Sequence, residues 1–290
     1  MFSEIFEKIE EWLKGILIGM IDSNLSGMFT DVNSRTVDLT QQISQTPSEW
    51  NSSIFNMVQG LSETVIIPIA GMIITAVLCY ELISMVTDKN SMHEVETWMF
   101  FRYIVKMWIA VWILSHTFSI TMAVFDLGQN LAEKAGAAIS GSTALDISGV
   151  ITQIDAKLEA MDIGPLITLA LETLLAKLGL AILSIAITIV VYGRMVEIYL
   201  YSSIAPVPFA TVGNREWGQI GTNYFRAIIA LAFQAFLMMI CIGIFAAMVT
   251  GIQVTDDLRA YIFQMIICTA VLFYSLLKTG SFSKSIFNAH

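Results

Sequence analysis

Residues 164–201, GPLITLALETLLAKLGLAILSIAITIVVYGRMVEIYLY, decide the fold because this long run is almost entirely apolar. A helix needs about 20 mostly apolar residues to cross the hydrocarbon core of a bilayer. The run exceeds that length, and Glu172 and Lys177 interrupt its first half. We therefore expect an interfacial helix over Pro165–Ala176 and a membrane span over Leu178–Leu200. One long helix that projects from the membrane is the alternative interpretation.

The composition of the whole chain points to the same class. Of the 290 residues, 56% are hydrophobic and only 13% are charged, whereas charged residues make up about 25% of a soluble domain. So few charges cannot cover the surface of a soluble enzyme, and a net charge of −9 argues against nucleic-acid binding. The sequence predicts an all-α, polytopic integral membrane bundle with about five transmembrane helices. The other four are Val65–Thr87, Trp98–Val124, Phe225–Val249 and Arg259–Thr279.

The N-terminal residues 1–21 have the periodicity of an amphipathic helix. Apolar residues recur every three or four positions, and acidic residues dominate the opposite face. We expect this helix to lie in the membrane interface or to pack against a partner helix. It lacks the basic start of a signal peptide. Residues 22–63 are polar and are typical of a loop with short helices.

These patterns divide the chain into four segments. Residues 1–64 form an extracytoplasmic arm, 65–125 a transmembrane hairpin, 126–163 an extracytoplasmic loop, and 164–290 a three-span membrane region. The N-terminal arm, the 126–163 loop and the 250–258 turn, all assigned to the outside, hold 17 of the 24 acidic residues. Lys and Arg near span ends favour the inner side by eight to six. This excess predicts an outer N-terminus and a cytoplasmic C-terminus.

Ionisable residues at membrane depth are costly and are therefore candidates for function. Arg102 and Lys106 lie one turn apart on the second span and face the same way, while Glu81 lies at a similar depth on the first. We expect an ion pair between Glu81 and one of these cations. Such a pair could lock the hairpin or line a polar pathway; alternatively, the cations could extend to the inner surface.

The end of the third span and the loop after it hold the other candidates. Arg194 and Glu197 lie among tyrosines, a pattern typical of an interfacial anchor. Pro206 and Pro208 are expected to end the helix. Trp217 belongs to the interfacial aromatic residues of a folded inner loop.

Signals for catalysis, cofactors and metals are absent from the sequence. No nucleotide-binding loop, metalloprotease motif or hydrolase elbow occurs. His116 has no companion ligand, and the three cysteines fall within predicted spans. We therefore expect no catalytic residue, no cofactor and no metal site.

Residues 205–245, APVPFATVGNREWGQIGTNYFRAIIALAFQAFLMMICIGIF, resemble the TrbL-like polytopic subunits of type IV secretion systems. The likeness is to the form found on conjugative elements of Gram-positive bacteria. The proline pair, the Trp217 region and the following span carry most of it. It extends from about Val65 to the end of the chain, whereas the first 64 residues show no resemblance.

The resemblance implies a channel or assembly subunit in the cytoplasmic membrane that helps to translocate a DNA–protein substrate and is not an enzyme. It also implies a homo-oligomeric ring, partnership with other membrane subunits and ATPases of the system, and transient contact with the substrate. A secondary transporter or ion channel subunit is the first alternative, but no internal repeat supports it. An intramembrane enzyme is the second, and its only candidate cluster is Glu81 with Arg102 and Lys106.

Overall fold

The computed structural model describes residues 2–87, 97–139, 154–252 and 258–289. These residues are 92% helical and contain no strand, which confirms the predicted all-α class. In chain order the helices are α1 (Phe2–Ser44), α2 (Pro47–Trp50), α3 (Ser52–Leu61), α4 (Ile67–Thr87), α5 (Thr97–Ser115), α6 (Thr117–Ile139), α7 (154–159), α8 (Ile163–Ile204), α9 (Pro206–Phe209), α10 (Gly218–Thr250) and α11 (Leu258–Ile286).

Within the described residues, five helical stretches are long and apolar enough to cross a membrane, which agrees with the five predicted spans. The first is longer than expected because a π-helical turn, Ser62–Ile66, joins α3 to α4. Pro68 follows this turn. Proline has no backbone N–H to donate to the carbonyl four residues earlier, and the wider π-helical turn accommodates the missing hydrogen bond. The chain is thus a multi-pass membrane protein. The five stretches are Ser52–Thr87, Trp98–Ser115, Ile163–Ile204, Gly218–Thr250 and Leu258–Ile286.

The apolar run at 164–201 lies within a single helix, α8, so the predicted break between an interfacial helix and a span is wrong. Glu172 and Lys177 are both good helix formers. Glu172 is accommodated at the side of the helix by Arg259 of α11, whose Nε lies 2.9 Å from Glu172 Oε2. The 42 residues of α8 extend over about 63 Å, roughly twice the ~30 Å hydrocarbon core.

Residues 22–44 are helical, which corrects the loop expected at the start of 22–63. α1 continues through Asp22 and Ser23 because buried apolar side chains resume at helical spacing. Asn24 is itself buried, and its side-chain amide donates to Thr173 Oγ1 over 3.4 Å. The expected short helices are α2 and α3. The buried apolar residues of α1 from position 21 onward are Ile21, Leu25, Met28, Phe29, Val32, Leu39 and Ile43.

The second predicted span, Trp98–Val124, is interrupted at His116. Side chains at Ser115, His116 and Thr117 contact backbone carbonyl oxygens one turn earlier, at distances of 3.0, 2.9 and 2.9 Å. Such bonds compete with the helix's own hydrogen bonds and bend it. α6 then runs to Ile139, so the first part of the predicted 126–163 loop is helical. Residues 140–153 of that loop lie outside the described residues.

Packing divides the chain into two compact units, each made of three stretches of sequence. Unit 1 comprises Met1–Ile43, Lys134–Val191 and Met238–Lys278. It includes an aromatic contact between Phe29 and Tyr261, with ring centroids 6.0 Å apart. Unit 2 contains all eight candidate site residues and comprises Ser44–Glu133, Tyr192–Leu237 and Thr279–His290.

The core of unit 2 forms where α6, α8 and α10 approach closely. A Cβ added to Gly128 of α6 would overlap the backbone carbonyl of Ala232 in α10. Small residues at such positions allow membrane helices to pack backbone against backbone. The core side chains include Phe118, Met122, Phe125, Met195, Ile198, Ile228 and Leu231.

Candidate functional site

The ion pair expected between the first two spans forms between Glu81 and Lys106. Lys106 Nζ lies 2.6 Å from Glu81 Oε1, with the two side chains 40% and 18% exposed, respectively. The pair joins α4 to α5 and is partly buried. Arg102 does not take part, since its side chain is exposed and contacts no acidic residue in the described part of the chain. Pairing lowers the cost of holding both charges at this depth.

The second oxygen of the same carboxylate connects the hairpin to the loop after α8. Asn214 is buried, and its Nδ2 donates to Glu81 Oε2 over 3.2 Å. Its Oδ1 accepts from the backbone N–H groups of Glu216 and Trp217, at 2.7 and 2.9 Å. An Asn that bonds the backbone two and three residues ahead closes a tight turn. The turn geometry therefore orients the amide that reaches Glu81.

Tyr80 adds a second connection between α4 and this loop. Its hydroxyl donates to Glu216 Oε2 over 2.9 Å, and its ring stacks on Trp217 with centroids 5.4 Å apart. We call Tyr80, Glu81, Lys106, Asn214 and Glu216 the polar cluster. It connects α4 to α5 and to the Pro/Trp loop, which we define as residues 205–217.

The two prolines hold the Pro/Trp loop against the start of α10. α8 ends at Ile204, as expected ahead of a residue without a backbone N–H. Pro206 and Pro208 are buried in the single turn of α9. A Cβ added to Gly221 would lie only 2.5 Å from the Pro208 carbonyl oxygen. The loop is therefore a packed element of unit 2.

Arg194 and Glu197, which were expected to form an interfacial anchor, have different surroundings. Arg194 is only 2% exposed, and its Nε and Nη2 have no hydrogen-bond partner within the described residues. Glu197 pairs with Lys284 of α11, whose Nζ lies 3.2 Å from Glu197 Oε1. Tyr199 is buried as well, and its hydroxyl donates to the Pro47 carbonyl over 2.6 Å.

Sequence reasoning did not identify Tyr80, Asn214, Glu216 or Lys284 as partners of the predicted site residues. The role of Asn214 could have been predicted from the sequence, because Gly-Asn is typical of turns and the side-chain amide of a buried turn Asn needs acceptors. The roles of Tyr80 and Lys284 could not, since their partners are far away in the sequence. In the described ranges, no group of three or more His, Cys, Asp or Glu side chains could hold a metal ion.

Comparison with known families gives a match over much of this structure. A family model described as TrbL/VirB6 plasmid conjugal transfer like protein matches residues 32–206. The chain belongs to this TrbL/VirB6 family. The matched range includes the last part of α1, residues 32–44, where the sequence resemblance was absent. It ends at Pro206, near the start of the stretch expected to be strongest. No curated protein and no solved structure matches the chain.

Membership in the family identifies the chain as a membrane subunit of a conjugal-transfer type IV secretion system. Glu81, Arg102, Lys106 and Arg194 lie within the matched residues. Asn214, with the rest of the loop after Pro206, lies beyond them. The polar cluster thus joins part of the matched region to residues of the Pro/Trp loop that the family model does not cover.

Proposed function

We propose that this protein is a non-catalytic channel or assembly subunit that helps to move a DNA–protein substrate across the cytoplasmic membrane. The family match over residues 32–206, together with the five apolar helices, supports the proposal. The net charge of −9 suits contact with partner proteins better than contact with bare DNA. The energy for transfer would come from partner ATPases of the system.

A homo-oligomeric ring is part of the proposal. Only 6% of the apolar part of α5 is buried within the chain, and its large side chains Phe101, Trp108 and Trp112 are exposed. Apolar faces of this extent in a membrane are covered by lipid or by neighbouring helices. We propose that neighbouring subunits cover part of this surface in the assembled apparatus.

The polar cluster is proposed to act as a brace within each subunit. The Glu81 carboxylate bonds Lys106 on α5 and Asn214 in the Pro/Trp loop at the same time. This single group therefore couples the hairpin to the loop that starts α10. A braced frame of this kind would keep the spans in a fixed arrangement while a substrate passes.

Mating experiments test the proposed role. Deletion of the protein from donor cells should abolish plasmid transfer, and the wild-type chain should restore it. Glu81→Gln and Asn214→Ala should restore transfer only in part at equal protein levels. Arg215→Gln, at an exposed position of the same loop, serves as the matched control and should restore it fully. Normal transfer from the deletion strain would overturn the proposal.

Reconstitution separates this role from that of an autonomous transporter. The purified protein in proteoliposomes should give no substrate-dependent flux in the absence of the other subunits. A flux carried by the protein alone would favour the secondary transporter or channel.

The proposed orientation has the N-terminus outside and the C-terminus in the cytoplasm. The labelling variants lack the native Cys79, Cys241 and Cys268. Each carries one introduced cysteine, at Ala160 or at Ser285, and both of these positions are exposed. An impermeant maleimide applied to intact cells should label only the cysteine at position 160. Labelling of position 285 alone would reverse the orientation without affecting the proposed role in transfer.

A further inference from the structure

We propose that a groove along α5 in unit 2 binds one molecule of an anionic phospholipid. The groove has a volume of about 400 Å³. Its two cations are Arg102, near the N-terminal end of α5, and Lys106, at the middle of α5. The remaining walls are apolar. They are formed by Val105, Ile109, Ala110, Ile113, Phe209, Val212 and Gly213.

The charges of this groove favour an anion. Lys106 is neutralised by its ion pair with Glu81, but Arg102 is exposed and has no ion pair or hydrogen bond within the described residues. Among the residues that the structure describes, the groove thus has one positive charge without an anionic partner, in a protein whose net charge is −9. A guanidinium can donate two parallel hydrogen bonds to a phosphate. Basic pockets between membrane helices bind anionic lipid headgroups in this way.

The length of the groove matches a lipid chain in one leaflet. Arg102 and Ile113 are eleven residues apart on α5, which corresponds to about 16 Å along a helix. One leaflet contributes about half of the ~30 Å hydrocarbon core. A phosphate held by Arg102 would therefore let an acyl chain follow the apolar walls as far as Ile113. A free phosphate ion would leave these walls unfilled.

Native mass spectrometry of the full chain in detergent tests the proposal. Phosphatidylglycerol and phosphatidylcholine with the same acyl chains are the probes. The wild-type protein should retain phosphatidylglycerol preferentially. Arg102→Gln should weaken its binding about fivefold, the factor expected for one basic residue at an anionic lipid surface, and should remove the preference. Arg215→Gln removes the same charge from an exposed position outside the groove and should change neither.

A second variant tests the acyl part of the site. Ala110→Phe fills the apolar part of the groove and should weaken binding of both lipids, with thermal unfolding of the lipid-free protein as the check on folding. Equal binding of the two lipids to the wild type would overturn the proposal. Unchanged binding of phosphatidylglycerol by the Arg102→Gln variant would overturn it too. So would displacement of phosphatidylglycerol from the wild-type protein by millimolar inorganic phosphate. None of these results depends on conjugation, so the lipid site and the role in transfer can fail separately.

Discussion

At the scale of single residues, Glu81 links two separate elements of the candidate site. Its two carboxylate oxygens accept from Lys106 at 2.6 Å and from Asn214 at 3.2 Å. Removal of either partner leaves part of a charged group in a partly buried position without its hydrogen bond. The polar cluster therefore acts as one unit, because each member depends on the others for its hydrogen bonds.

A double-mutant cycle between Glu81→Gln and Lys106→Met should show coupling. Because the pair is partly buried and well aligned, we expect a coupling free energy of about 1 kcal/mol, measured by unfolding in mixed micelles titrated with SDS. Arg102→Gln combined with Glu81→Gln is the control and should give additive effects. Additive effects for the Lys106 cycle would contradict the proposed brace.

Asn214→Ala should destabilise the protein by about 2 kcal/mol, since it removes three hydrogen bonds from a buried turn. Asn214→Asp keeps the acceptor for the backbone N–H groups but places a second carboxylate against Glu81, so it should be destabilising as well. Asn223→Ala, in a less buried position of α10, should change stability by less than about 0.5 kcal/mol. Similar unfolding curves for the Asn214 and Asn223 variants would rule out the turn as the source of stability.

At the scale of elements, the approach of α6 to α10 depends on Gly128. Because an added Cβ would overlap the Ala232 carbonyl, Gly128→Ala should separate the helices and cost about 3 kcal/mol. Gly71→Ala is the matched control, since no atom lies within 4 Å of its added Cβ, and it should stabilise α4 by about 0.5–1 kcal/mol. Melting temperatures of the two purified variants, compared with wild type, decide between these outcomes.

The capping box of α2 supplies a pH-dependent contact outside the spans. Hydrogen bonds from the Thr46 backbone N–H, at 3.0 Å, and side-chain hydroxyl, at 2.8 Å, reach Glu49 Oε2 and lower the pKa of Glu49. A pKa lowered by folding adds stability above the ordinary value, and this stability is lost as the pH falls through the folded pKa. Thr46→Ala should therefore cost about 1 kcal/mol at neutral pH. The loss should shrink in unfolding experiments at pH 3.5, and a loss independent of pH would exclude the capping box.

At the scale of the whole molecule, the two halves of α1 contribute differently to stability. Phe6 and Trp12 are exposed in the first half, whereas Phe29 is buried in unit 1 against Tyr261. Phe29→Ala should cost about 3–5 kcal/mol. A Phe6→Ser and Trp12→Ser double variant should stay within about 0.5 kcal/mol of wild type. Equal losses in SDS-titrated unfolding would mean that the first half also packs in the isolated chain.

Much of the fold class and one contact of the site followed from local patterns. Spans are recognisable because the bilayer requires about 20 consecutive apolar residues, and that requirement is met within each helix. The Glu81 pair was predictable from depth along two neighbouring spans. Its choice of Lys106 over Arg102 was not, because that choice depends on the rotation of α5 about its axis.

The sequence by itself determined an all-α membrane protein with five spans, since backbone groups in lipid must be satisfied within each helix. Tertiary structure decided where the long helices continue and where charges are buried. Asn24 remains helical with a partner 149 residues away, and Glu172 does so with Arg259 on another helix. Arg194 is enclosed although its local pattern is that of an interfacial anchor. For Asn24 and Glu172 the physical reason is the same: local sequence sets the cost of a polar group in a helix, and a partner on another helix offsets that cost.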